Sequence, residues 1–337
     1  MSYGTESINE LYTVLYPTPV YLLVGIMVLV VSFVTYVGGC YLVRLFSSRI
    51  SIEESDQDPN LGRLEYDDPI TVSQLTQQFE KCEQELETPV IMVTHKFWKN
   101  SPKTIHLNRY IVDIDDDSRF IHILSGKSSN LTMVIDSHGG DIFANDPMVR
   151  GMLHYQDNFG DITCMVPYQA YSAATMLALA GRRLLLGPCG MVGPFDPQMS
   201  FDSPHTDEVV YSSKVIMEAV DGIEKKDLHP IINMVATETR IYHSDNLRQA
   251  EKISEFHNYE KEVHDRMIDH MCSGRFPHST SFAYSDLQSI GVDVEQRVPS
   301  CIMRLMDMIY MYKQQNPLKK PKNDDEDNEE DDIDAET

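Results

Sequence analysis

At 337 residues and 42% hydrophobic content, the chain can bury one large core with appendages, and no second catalytic unit is needed to account for it. A formal charge of -24 excludes a nucleic-acid binder, because 28 basic residues against 52 acidic ones cannot supply the clustered Lys and Arg that phosphate recognition requires. Six cysteines, Cys40, Cys82, Cys164, Cys189, Cys272 and Cys301, form no CxxC pair and have no His at metal-ligand spacing, so neither a metal nor a disulfide framework is expected. They read as buried free thiols in a reducing compartment.

Residues 1–18 form a short leader that carries Glu6 and Glu10 but no Lys or Arg. Val20 to Val43 is then a run of 24 uncharged residues, where about 20 suffice to cross a bilayer core. A single transmembrane helix is expected over residues 19–43, with Pro17 and Pro19 stopping any helix from upstream and Tyr21, Tyr36 and Tyr41 toward the interfaces. Arg44 and Arg49 follow directly, which places the amino terminus outside and the large domain in the cytosol. A cleaved signal peptide is the competing reading, but the apolar run is too long and lacks a basic leader.

Residues 44–68, polar, acidic and broken by Pro59 and Gly62, read as a juxtamembrane linker to a folded domain over 69–316. Thr71 to Leu86 has the 3 and 4 spacing of an amphipathic helix. Val90–Thr94, Tyr110–Ile114, Thr132–Ile135 and Ile162–Val166 are short apolar runs expected to be buried strands. Helical spacing over Pro147–Tyr155, between the last two strands, completes a right-handed βαβ unit. Asp245 to Cys272 reads as a helix that covers the domain or packs on a neighbouring subunit. Residues 317–337, with three lysines and then ten acids from Asp324 onward, cannot bury enough apolar surface to order themselves.

Two segments carry the chemistry: Ser137-His138-Gly139-Gly140 and Tyr171-Ser172-Ala173-Ala174-Thr175, each after an expected strand and before a helix. Acyl transfer needs two backbone N–H groups aimed at the oxygen that gains charge, and glycines allow the close backbone approach that a Cβ blocks. Gly139 or Gly140 supplies one donor of such an oxyanion hole and Ala173 the other, beside Ser172 as nucleophile. Taken singly, a Gly-Gly after a strand is usually a turn, and a serine opening a helix is usually an N-cap.

The string from Val166 through Ser172 to Ala180, and Gly193-Pro194-Phe195-Asp196-Pro197-Gln198, resemble the serine dehydrogenase proteinase family. That family is related to the Clp protease proteolytic subunit and to signal peptide peptidase A. The resemblance covers roughly residues 60 to 312. It implies an α/β, Clp/crotonase-like ββα-type fold and a catalytic order of serine, aspartate and histidine. Ser172 and Asp196 match the family positions, and His278 in Phe276-Pro277-His278-Ser279 is the most similar histidine. It also implies a peptide or protein substrate, hydrolysis through an acyl-enzyme, no cofactor, and assembly as a homo-oligomer.

Three departures stand out. Asp136-Ser137-His138-Gly139-Gly140 replaces a His-Thr-Pro-Gly-Gly string, Ala174 replaces a usual glycine, and Ala180-Gly181-Arg182-Arg183 replaces Ala-Asp-Glu-Ile. His138 is an alternative base, and so is Lys214, since related enzymes can use a Ser-Lys dyad; on its own residues Lys214 reads as a solvated helix-face lysine. The rival functions are a catalytically weak membrane scaffold of the same fold and a crotonase-like enzyme that uses the backbone donors on a thioester without a serine.

Overall fold

The structure, a computed structural model, describes residues 69–95, 107–203 and 206–317. The expected leader, membrane helix and linker, Cys40, and residues 318–337 of the expected tail lie outside the described residues. Among the described residues no helix is long and apolar enough to cross a membrane.

Helix α1 (Val72–Leu86) opens on a capping box in which the Thr71 hydroxyl accepts from the Gln74 N–H while the Gln74 side chain accepts from the Thr71 N–H. Strand β1 (Val90–Thr94) follows, then β2 (Ile111–Asp113), α2 (Asp117–Ser125), β3 (Leu131–Asp136), α3 (Ile142–Asn158), β4 (Ile162–Val166), the two-residue β5 (Gln169–Ala170), α4 (Ala173–Ala180) and β6 (Arg183–Leu186). The main sheet has the order β2-β1-β3-β4-β6 with every neighbouring pair parallel. A short β7 (Met191–Val192) pairs in parallel with β5. Then come an antiparallel hairpin of β8 (Gln198–Ser203) and β9 (Thr206–Ser212), α5 (Ser213–Val220), the 28-residue α6 (Pro230–His257), α7 (Lys261–Met267), a π-helical turn (Ile268–Cys272), α8 (Tyr284–Ile290) and α9 (Ser300–Gln315).

The sheet is apolar on both faces, which a parallel sheet requires because helices cover each side. Alternation along the strands sorts the side chains. Ile91, Val93, Met133, Ile135, Cys164 and Val166 belong to the core under α3, α4 and α6. Val90, Met92, Val134, Met165 and Leu185 belong to the opposite core under α1 and α9. On that second face Phe79 is fully buried and stacks on Tyr110 with ring centroids 4.5 Å apart.

The expected strands and first helix are present, two strands with the expected bounds and the other elements with ends shifted by one residue. Two expected helices are corrected. The helix expected from Pro147 begins at Ile142, because Asp141 accepts from the Phe143 N–H at 2.8 Å and the first-turn residues Ala144 and Asn145 are buried. Pro147 is thus carried inside a helix, where a proline ordinarily costs about 3 kcal/mol. The stretch Asp245–Cys272 is not one helix: α6 ends at His257, capped by Asn258, whose φ of 53° is left-handed, and a helix restarts at Lys261. The apolar pattern runs across the break because Ile253, Met267 and Met271 enter the same core.

All five described cysteines are free, and four are buried as expected, while Cys189 is exposed. Burial pushes the Cys164 and Cys272 thiols up to about 12. Phe79→Ala is expected to destabilise the domain by about 3–5 kcal/mol, since it empties a fully enclosed site; a denaturant-unfolding midpoint indistinguishable from wild type would contradict the packing described for this face.

Candidate active site

Adjacent parallel strands β3 and β4 end at the same edge of the sheet, and the crevice at such carboxyl ends is where open α/β sheets place their sites. After β3 the chain makes the Ser137–Gly140 loop and enters α3. After β4 it makes β5 and enters α4 through Ser172. Backbone pairing clasps the two loops: the Ser137 N–H donates to the Gln169 carbonyl at 3.2 Å, and the Tyr171 N–H donates to the Ser137 carbonyl at 3.0 Å.

Gly139 lies at φ +112°, and a Cβ there would come within 2.7 Å of the Ser172 Cβ. Glycine at this position is what lets the first loop close over the serine. The Gly139 N–H is engaged by Ser137 Oγ at 3.1 Å, which leaves Gly140 as the loop's available donor. Among the described residues no hydrogen bond engages the N–H of Gly140 or of Ala173.

Ser172 is not an ordinary N-cap. Its side chain makes no capping hydrogen bond, and its backbone sits at φ 54° and ψ -125°, a conformation rare for any residue with a Cβ. Such geometry costs about 1–3 kcal/mol and persists only where the surroundings impose it. Here the Ser172 N–H donates to the Pro194 carbonyl at 3.2 Å. The Thr175 hydroxyl lies 2.7 Å from the Ala170 carbonyl and 2.9 Å from that of Gly193, tying the serine loop to the strand that leads to Asp196.

Asp196 is 1% exposed, and its Oδ1 lies 2.8 Å from Nδ1 of His278. The backbone on its amino side is pinned twice, by the Phe195 N–H donating to the Met271 carbonyl at 2.7 Å and by Asn246 Nδ2 donating to the Phe195 carbonyl at 2.5 Å. The loop that carries His278 is drawn to the serine loop by a 2.7 Å hydrogen bond between the Tyr171 and Ser281 hydroxyls. Phe276 and Phe282 meet edge to face within that loop, and Phe282 pairs with Val192 of β7.

Ser172, Asp196, His278, Gly140, Ala173 and His138 all line one cavity of about 520 Å³. Phe143, Met176, Phe195, Met199 and Tyr242 give it apolar walls. Of the two alternative bases, His138 faces the cavity but stacks on Tyr171 and contacts Gln169 Nε2 at 3.3 Å. Lys214 does not line the cavity; it lies 3.9 Å from Glu218 one turn along α5.

The departures from the family strings have local partners. Burial pushes the Asp136 carboxyl above its ordinary range, against the pull of nearby Lys313 and His138. Arg182 lies over the Phe256 ring at 3.8 Å and meets Asp161, while Arg183 pairs with Glu295 at 2.6 Å. Ala174 is fully buried in the helix core. Asn246 and Tyr242 belong to no motif in the sequence, and only the fold brings α6 over the site.

These features define an α/β enzyme with its polar constellation at the carboxyl edge of a parallel sheet. Residues 64–325 match the family described as ClpP-like SDH-type serine proteinase, and the chain belongs to that family of serine peptidases. Two uncharacterized proteins of Methanocaldococcus jannaschii are each 22% identical, one over 60% of this chain and 66% of its own length, the other over 68% and 75%. Solved structures of the 1510-N membrane-bound stomatin-specific protease are also similar. One mutant form matches at a TM-score of 0.36 and 12% identity over 65% of this chain and 84% of its own. A second, in complex with a substrate peptide, matches at 0.36 and 13% over 64% and 80%.

Gly139→Ala is expected to lower stability by about 1–3 kcal/mol, through a strained φ and a clash with Ser172. A thermal unfolding midpoint equal to wild type would contradict the close approach of the two loops.

Proposed function

We propose that the chain is a membrane-anchored serine peptidase that hydrolyses peptide bonds through an acyl-enzyme on Ser172, with His278 as general base and Asp196 as its orienting partner. The observation that carries this reading is the buried Asp196 carboxylate, bonded at 2.8 Å to a histidine that lines the same cavity as Ser172. With its Nδ1–H donated to Asp196, the imidazole keeps Nε2 as the acceptor for the serine proton. Ser172 Oγ attacks the peptide carbonyl, His278 takes its proton and later returns it to the leaving amine, and water then releases the acyl group.

The tetrahedral oxygen is held by the N–H groups of Gly140 and Ala173, an interaction whose single-donor loss ordinarily costs about 3–4 kcal/mol of transition-state stabilisation. Of the two glycines considered, Gly140 is preferred, because the Gly139 N–H already serves Ser137. The positive end of α4, at Ala173, adds to the same field.

Sequence features supply the setting of this chemistry. Residues 19–43 anchor the protein, the peptidase domain faces the cytosol, the acidic tail follows it, and the domain works as a homo-oligomer on a peptide or protein substrate. An enzyme using only the backbone donors on a thioester would tolerate loss of Ser172, and a scaffold would carry no activated serine at all.

Reaction of the full-length protein with a fluorophosphonate probe tests the assignment. Wild type is expected to label and Ser172→Ala not to, while Asp196→Asn, which supplies the wrong partner to the imidazole, is expected to slow labelling by roughly ten-thousandfold. Labelling that survives in Ser172→Ala would sink it.

A further inference from the structure

A carboxylate that is 1% exposed needs a donor at each oxygen, because an unpaired charge in a dry site is costly. His278 serves only Oδ1 of Asp196. Oδ2 lies 2.7 Å from Nε2 of Gln198. The same nitrogen also faces the backbone carbonyls of Asp196 at 3.3 Å and Pro197 at 3.5 Å. Three oxygens around one atom fix which end of the amide points there: it is the NH2 group, since an oxygen in that place would be repelled by all three.

Gln198 is itself held. It opens β8 opposite Ser212, and the Ser213 N–H donates to the carbonyl of Pro197 at 2.8 Å. It also lines the cavity. We propose that Gln198 is a positioning residue for the peptidase chemistry, holding the second oxygen of Asp196 so that the first stays aimed at His278. The inference rests on the assignment of Ser172, His278 and Asp196 made above.

Other charged and titratable groups surround this pair, and the test must separate their influence. His243 of α6 and Cys272 of the π-helical turn lie within electrostatic reach of Asp196. Lys214 of α5 packs beside Gly274, which itself adjoins Asp196 Oδ2. His138 and Asp141 line the cavity from the first loop. None of these changes when Gln198 alone is substituted, so two replacements of opposite electrical character isolate its contribution.

Gln198→Met keeps the bulk and removes the donor. A carboxylate short of a donor grips the imidazolium proton more tightly, so the acid limb of the labelling rate should move to higher pH. Gln198→Lys keeps an N–H donor and adds a positive charge beside the pair, which should move the same limb to lower pH. The Met variant is also expected to label more slowly by on the order of tenfold near neutral pH.

The experiment is the fluorophosphonate labelling rate of the full-length protein across pH for wild type and both variants. The His278 imidazole is followed in parallel by NMR, a readout that needs no reaction. Midpoints displaced in opposite directions support the proposal. Midpoints that stay put, or move together as a general loosening of the fold would move them, overturn it. If wild type fails to label, the peptidase assignment falls, while the imidazole titrations still decide whether Gln198 governs Asp196.

Discussion

The clasp between the Ser137 and Tyr171 loops is the constraint on which the rest of the site depends. Two parallel strands end side by side, and their loops exchange backbone hydrogen bonds in place of continuing the sheet. That exchange turns Gly139 into a left-handed conformation, presses its backbone against Ser172 and forces the serine itself to positive φ. Strain in the serine is tolerated because the fully buried Thr175 hydroxyl binds the chain on either side of it. Without the clasp, the serine would be free to relax into an ordinary helix cap.

The aspartate and histidine are supported differently. Neither lies on the main sheet; the loops that carry them are held by the Asn246 side chain of α6 and by backbone contacts to the π-helical turn and β7. Side-chain changes that stay outside these contacts leave the arrangement in place. The arginines that replace the usual acidic and apolar residues after α4 illustrate the point: Arg182 and Arg183 turn outward to Asp161, Phe256 and Glu295, away from the cavity.

Much of the sheet was legible in the sequence because buried parallel strands are continuous apolar runs. Val90–Thr94 and Ile162–Val166 have the bounds their composition suggests. The β8–β9 hairpin was not, since its pairing encloses no core and Val210 and Tyr211 stay exposed. Helix ends were obscured by residues acting against their usual preference, Pro147 within α3 and Asn258 within an unbroken apolar pattern. At the site, Ser172, Asp196 and His278 could be named from motif strings. The donor occupancy of Gly139, the pairing of Lys214 with Glu218 and the amide of Gln198 beside Asp196 could not, because each is a local choice of side-chain direction that residue type does not set, and the amide of Asn246 could not, because 51 positions separate it from Phe195.

The second core face has a consequence for how the protein is made. Its apolar strand residues are covered jointly by α1 and α9, the first and last helices among the described residues. The two ends are also tied directly, by the Ile70 N–H donating to Gln315 Oε1 at 2.8 Å across 245 positions of sequence. During synthesis that face therefore stays half covered until α9 has left the ribosome, and such a surface is open to misassociation while it waits. The domain completes its fold late, as a closing of its two termini.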